Sequence, residues 1–279
     1  FKREQNKISK IEDFFVHNGF LEVINFPFTS FEEERSILID NPLDSNRKNL
    51  RTSLKESLLE NLLYNERRQK DSIKLFEISD IYSNRDNIHQ EKKLGIIVSG
   101  RRGHNYIDFS KKLDSDYLQE ILNLNMDNPI FDIEEISRKN LKTKKKEKIF
   151  YTEISLENIP ETFFNVSKQN RALSNFIKYD PISEFPSSTR DFSLSIKNIA
   201  KYNKVIKHID DFQDENLKDF FIFDFYINEV SDEIKVGIRL VFQSPHKTLS
   251  DNEIQKSFTS ILKPIVGLDG VFIPGLEFK

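Results

Sequence analysis

Residues 190–275 constrain the fold more tightly than any other part of this chain. Residues 190–196 alternate polar and apolar side chains with the period of a half-buried strand, and 202–212 then repeat their apolar positions at helical spacing. Two further strand-like runs, FFIFDFYI and KVGIRLVFQS, are joined by the polar turn residues NEVSDE. SDNEIQKSFTSILKPI reads as a second helix. Its start is marked by Ser250 and, three residues on, Glu253, the pair that forms a capping box. GVFIPGLEF offers a last strand. The order β-α-β-β-α-β is that of a split βαβ, ferredoxin-like module.

A chain of 279 residues is long for one hydrophobic core, so a second domain is expected ahead of this module, with the boundary at 177/178. Within 1–177, residues 8–17 read as a helix ended by Gly19, and FLEVINFPF alternates like a strand as far as Pro27. RTSLKESLLENLLYNERR carries Leu54, Leu58, Leu59, Leu62 and Leu63 at helical spacing. SIKLFEISDIY and KLGIIVSG are strand-like around a polar turn, and LDSDYLQEILNL is a short amphipathic helix. Hairpin-like strands without βαβ alternation point to an α+β fold with an antiparallel sheet. Residues 137–148 hold seven basic side chains against Glu147 and read as a flexible, solvated connection; the functional reading of this run is non-specific phosphate contact.

The residues exclude more chemistry than they suggest. Without cysteine there is no disulfide, thiolate nucleophile or Cys-ligated zinc, and a reducing, cytoplasmic setting is expected. Five scattered histidines lack metal-ligand spacing. SGRRG, at 99–103, lacks the Lys-Ser/Thr of a phosphate loop. No G-x-S-x-G or dinucleotide fingerprint occurs, so no catalytic residue and no metal ligand is assigned. With 31% charged residues, a mean hydropathy of -0.54 and no long apolar run, no membrane segment is expected. The chain starts at Phe1 without Met, which reads as a cut into a longer protein.

Two stretches carry a resemblance. NPLDSNRKNLRTSLKESLLENLLYNERRQKDSIKLFEISDIY, residues 41–82, closely resembles the catalytic-like core of the bacterial phenylalanyl-tRNA synthetase beta subunit family, with its NP(L/M)S, LR(T/S)SL and LFEIG elements. FFVHNGFLEVINFPFTSF is similar to the opening of that core, and KLGIIVSG followed by IDFSKKLDSDYLQEIL to its next strand and DFFDLKG helix entry. YDPISEFPSSTRDFSLSI, residues 179–196, is similar to the start of the same family's ferredoxin-fold anticodon-binding domain, and FIFDFYI and GIRLVFQSPHKTLSDNEI match its later elements in order. Three features depart from the pattern: Asn105-Tyr106 replaces the usual aromatic, residues 126–149 are short and basic, and the Leu-Arg ending is missing.

The resemblance implies a class II synthetase-like, non-catalytic core followed by a ferredoxin-like βαββαβ domain. It implies a chain that supports attachment of phenylalanine to tRNA(Phe) while a partner alpha subunit catalyses, in an (αβ)2 heterotetramer. ATP and Mg2+ are then expected for the complex and no cofactor in this chain. Editing is expected to belong to domains that precede Phe1. Arg51, Leu54, Leu58 and Leu62 are candidates for the subunit interface, with an internal core as the other reading of the Leu stripe. Arg190, Ser193, Tyr226, Lys235, Arg239, Gln243 and Lys247 are candidates for RNA contact; alternation turns Ser193, Lys235, Arg239 and Gln243 away from the helices, and Arg190 could equally brace the loop before the strand. From residue 178 onward there are 13 basic and 16 acidic residues, so this domain alone should bind RNA weakly. The alternative from another class is a stand-alone RNA-binding or scaffold protein built from the same modules. A single-chain organellar synthetase is disfavoured because the class II ATP motifs are absent.

Overall fold

Side-chain alternation and helical spacing give each segment its secondary structure, and burial of the apolar faces assembles them. A computed structural model describes residues 2–84, 87–123, 131–160, 181–197, 201–228 and 230–275. The chain divides into two units, one of residues 1–101 and 112–174, the other of residues 102–111 and 175–279. The expected boundary at 177/178 and the start of the proline-rich stretch at Tyr179 lie outside the described residues.

The first unit runs α1 (Lys2–His17), β1 (Leu21–Glu22), β2 (Phe28–Thr29), β3 (Ile37–Leu38), β4 (Asn49–Leu50), α2 (Lys55–Arg67), β5 (Ser72–Asn84), β6 (Ile88–Gly100), α3 (Ser115–Asn123), β7 (Glu134–Ile136) and β8 (Ile149–Ser155). Its main sheet has the order β1-β5-β6-β8-β7, antiparallel except for the parallel β1–β5 pair. Ile11 and Phe15 of α1 and Leu118, Ile121 and Leu122 of α3 bury one face of this sheet over Phe76, Leu94, Ile96 and Val98. Leu54, Leu58 and Leu62, at the start of and along α2, bury the other face over Leu75, Ile97 and Tyr151. Gly95 permits that approach: a Cβ there would lie 2.9 Å from Leu58 Cδ1 and 3.0 Å from Leu54 Cβ. The strand expected over FLEVINFPF is only two residues long, because Asn25 leaves the ladder to bond the carboxylate of Glu77.

The Arg-Thr-Ser-Leu sequence ahead of α2 is explained residue by residue. Arg51 is buried and donates from Nη1 to Glu77 Oε1 at 2.8 Å and from Nε to the Asp80 carbonyl at 3.0 Å. Thr52 donates to Glu33, and Ser53 Oγ donates to Glu153 at 3.0 Å. Leu54 has no side chain with which to cap the helix, so Glu153 of β8 accepts its backbone N–H at 2.7 Å. Burial pushes the Glu153 carboxyl up, but the Tyr151 hydroxyl, the Leu54 N–H and Lys93 outweigh it and hold the carboxyl below the usual glutamate range.

Two expectations for this unit are corrected. Arg51, Leu54, Leu58 and Leu62 are each 3% exposed or less within this chain, so none offers surface to a partner; the internal-core reading of the Leu stripe applies. Residues 137–148 are no loose connection, because they close the antiparallel β7–β8 hairpin. Arg138 anchors them, donating from Nη2 to Glu66 Oε1 at 2.6 Å and from Nη1 to Glu66 Oε2 at 3.1 Å, while Thr143 donates to the same carboxylate. Leu141 packs against the α2 core.

The second unit runs β9 (Ser188–Lys197), α4 (Tyr202–Asp210), β10 (Leu217–Asn228), β11 (Glu233–Phe242), α5 (Asp251–Val266) and β12 (Val271–Phe272). The sheet order is β10-β11-β9-β12 with antiparallel neighbours, the ferredoxin-like arrangement. Phe192, Leu194 and Ile196 of β9 and Val236, Ile238, Leu240 and Phe242 of β11 face Val205, Ile209, Ile254, Phe258 and Leu262 of the two helices. The capping box at Ser250 and Glu253 is present.

Candidate nucleic-acid interface

The face of the second sheet turned away from α4 and α5 is set by strand register. Arg239 of β11 lies between Phe221 of β10 and Asp191 of β9, Gly237 lies opposite Asp224 and Ser193, and Lys235 lies between Tyr226 and Ser195. Ser195 also pairs with Phe272 of β12, an exposed aromatic. A bulge between Ile222 and Asp224 sends Phe223 over Gly237, where a Cβ would meet its ring at 2.8 Å.

One half of this face is closed. Phe109, from the short segment 102–111, packs against Phe221 and Phe223 with ring centroids 5.8 and 5.4 Å apart. His104 lies over Phe221 with centroids 5.1 Å apart, while Tyr106 meets Phe225, which the register turns toward the helices, at 5.3 Å. The Arg239 guanidinium sits 5.1 Å from the Phe109 centroid and 5.9 Å from each of the other two. Its Nε and Nη2 both donate to the Asp191 carboxylate at 2.7 Å. Arg239, a candidate RNA contact that alternation turns away from the helices, is therefore engaged as a brace in an aromatic cluster.

Three more of the expected RNA contacts are committed to the domain's own build. Arg190 donates to Asp251 Oδ1 at 2.9 Å and to the Thr189 carbonyl at 3.0 Å, tying the start of β9 to the first residue of α5. Gln243 donates to the Phe185 carbonyl at 2.5 Å and accepts from Lys218, fixing the proline-bounded entry to β9. Lys247 donates to Glu253 at 2.5 Å. With the Ser250 cap, that bond lowers the Glu253 carboxyl to about 2, Lys247 being the largest cause.

The other half of the face is open. Ser193, Tyr226 and Lys235 are exposed, and no ion pair engages Lys235 among the described residues. Tyr226 and Lys235 face each other near the β10–β11 turn, and Ser193 lies in the next row beside Gly237 and the exposed Asp224; an aromatic ring, a cation and a hydroxyl are the chemistry that stacks on an unpaired base and neutralises its phosphate. Phe272 extends the row. Sequence reasoning missed Phe272 of the last strand, and also Phe109 and Tyr106, since the spacing of RRGHNYIDFS carries no sign of what its aromatics will pack against.

Nothing among the described residues prepares a metal site, since no group of three or more His, Cys, Asp or Glu side chains converges there. No helix of the described residues is long and apolar enough to cross a membrane.

Comparison with known proteins agrees with this geometry. Residues 183–268 match the ferredoxin-fold anticodon binding domain, and residues 1–147 match the phenylalanyl tRNA synthetase beta chain CLM domain. Among curated relatives, the phenylalanine--tRNA ligase beta subunit of Buchnera aphidicola is 29% identical over 89% of this chain and 37% of its own length. The chloroplastic beta subunit of Pyropia yezoensis is 28% identical over 93% of this chain and 40% of its own. That of Carboxydothermus hydrogenoformans is 27% identical over 97% and 38%. The chain thus spans about two-fifths of the length of the relatives it matches. A pyrrolysyl-tRNA synthetase of Desulfitobacterium hafniense superposes with a TM-score of only 0.38 over 55% of this chain and 67% of that one, at 13% identity, too little to assign a fold. The first domain match alone takes in 147 of the 279 residues, and the chain belongs to the phenylalanyl-tRNA synthetase beta chain family.

Proposed function

We propose that this chain is the beta-chain portion of a phenylalanine–tRNA ligase. It supports attachment of phenylalanine to tRNA(Phe) by binding the anticodon stem-loop on its second unit and by assembling with an alpha subunit that carries the catalysis. The observation that carries this reading is the open row of Ser193, Tyr226 and Lys235 on a domain that matches the anticodon-binding family. Tyr226 stacks an unpaired base, Lys235 meets the neighbouring phosphate and Ser193 offers a hydroxyl, while Arg190, Arg239, Gln243 and Lys247 hold the platform in shape.

On this reading the assembly is an (αβ)2 heterotetramer in the cytoplasm; the relatives are named phenylalanine--tRNA ligase beta subunits, one of them chloroplastic. The domain boundary falls near 178. The alpha subunit docks on apolar side chains that this chain leaves exposed, Ile24, Phe26 and Leu43, in place of the buried α2 stripe. ATP and Mg2+ bind in that partner.

Co-expression with an alpha subunit tests the assignment. A stoichiometric complex that forms phenylalanyl-tRNA, together with an isolated chain that shows no phenylalanine-dependent ATP–pyrophosphate exchange, supports it. A monomer that finds no alpha partner and binds many RNAs equally points to the stand-alone scaffold.

A further inference from the structure

The β7–β8 loop is the most basic run in the chain, and the structure changes what it can do. Arg138, gripped by Glu66, and Leu141, set in the α2 core, fix its near end, and β8 fixes its far end. Between them the chain turns, with Leu141 N–H donating to the Arg138 carbonyl and Thr143 N–H to the Leu141 carbonyl, and its exposure alternates. Leu141, Thr143, Lys145 and Glu147 turn partly inward, whereas Lys142, Lys144, Lys146 and Lys148 are exposed. These ammonium groups therefore form a solvent-facing basic ridge on a loop held at both ends.

Lys148 is taken up by Glu135 at 2.8 Å. Among the described residues no carboxylate lies within ion-pair reach of the other three side chains. Burial pushes the Glu147 carboxyl up, yet backbone N–H groups together with Lys145 and Lys112 bring it below the usual range, so this one acid inside the loop stays ionised and is served by groups other than the ammonium groups of Lys142, Lys144 and Lys146. The anticodon-binding unit has no such field of its own, with 13 basic against 16 acidic residues from position 178 onward.

We infer that Lys142, Lys144 and Lys146 form a second RNA-contacting site, on the synthetase-like unit, that binds backbone phosphates without reading sequence. This rests on the tRNA-binding reading above for the identity of the polyanion. Counterion release gives the contact its signature: each neutralised phosphate adds about 0.7–0.9 to the slope of log affinity against log salt.

The test uses the full chain, a tRNA(Phe) transcript and an unrelated RNA hairpin, with affinities measured by fluorescence anisotropy across a salt series. The triple variant K142Q/K144Q/K146Q should lower the slope by about 2 for both RNAs, and K142R/K144R/K146R should keep it. An unchanged slope in the Gln variant, or wild-type protein that binds neither RNA at low salt, overturns the inference. The anticodon reading fails separately, if wild-type protein shows no preference for tRNA(Phe) over the hairpin. The two failures are read from different numbers.

Discussion

Replacing Arg51 by methionine separates an internal brace from a subunit contact. The side chains of Arg51 and Glu77 are 3% and 2% exposed and meet at 2.8 Å. Methionine keeps most of the packed stem but leaves the Glu77 carboxylate in the interior without its cation. Removing one partner of a buried pair costs about 3–5 kcal/mol. Asn25 still donates to Glu77 Oε2 at 2.8 Å and Ser57 at 3.4 Å, which favours the lower end of that range. At about 2–4 °C per kcal/mol, the midpoint of the first unit should fall by roughly 6–20 °C. The double variant R51M/E77Q removes both charges and keeps an amide for Asn25, so it should regain at least half of the loss. As a control, K55M breaks only the exposed pair with Glu134 and should stay within about 1 kcal/mol of wild type. Urea and thermal unfolding of the isolated chain, followed by circular dichroism, supply the numbers. An R51M chain within about 1 kcal/mol of wild type, or a double variant no better than the single, would refute the reasoning.

Arg239→Ala removes a guanidinium from three rings and from Asp191, and should destabilise the second unit by about 1–3 kcal/mol in thermal unfolding. It should therefore lower RNA binding through loss of fold, whereas Lys235→Ala should lower binding with unfolding unchanged. Ser250→Ala removes the side-chain cap of α5 and should cost about 1 kcal/mol, read from urea midpoints at neutral pH. Glu153 and Glu253 are both held below the ordinary glutamate value of 4.5, so their support is complete above pH 4.5 and is lost as pH falls through the folded-state values, which for Glu253 is about 2. Wild-type stability should thus fall steeply on acidification below pH 4.5, and Glu153→Gln, already less stable at pH 7, should show a shallower fall over that range.

The pattern of the second unit was legible because period and capping act locally. The alternation of Phe192, Leu194 and Ile196 and the Ser250–Glu253 pair are properties of neighbouring residues, and the structure keeps both. The Leu stripe of α2 was legible as buried, but an apolar interface and a core have the same composition, so only the sheet under Leu58 decides between them. Residues 137–148 were misjudged as loose because a charge run carries no record of Glu66, which lies 72 positions upstream of Arg138. The surroundings of Arg239 were hidden in the same way. Alternation placed Arg239 on the outer face correctly, yet Phe109, which covers it, comes from a segment far away in sequence. Local rules find faces; what covers a face is a tertiary fact.

The central claim, that the open row on the second sheet meets the anticodon loop, is tested most directly by titrating a labelled tRNA(Phe) anticodon stem-loop against wild-type chain and Y226A/K235A. Tyr226 and Lys235 are paired across β10 and β11 and support no core contact, so both proteins should unfold alike. Loss of one stacked base and one phosphate contact, at about 1–3 kcal/mol for the stack, predicts at least a tenfold weaker complex for the double variant. Equal affinity of the two proteins for the stem-loop would contradict the account.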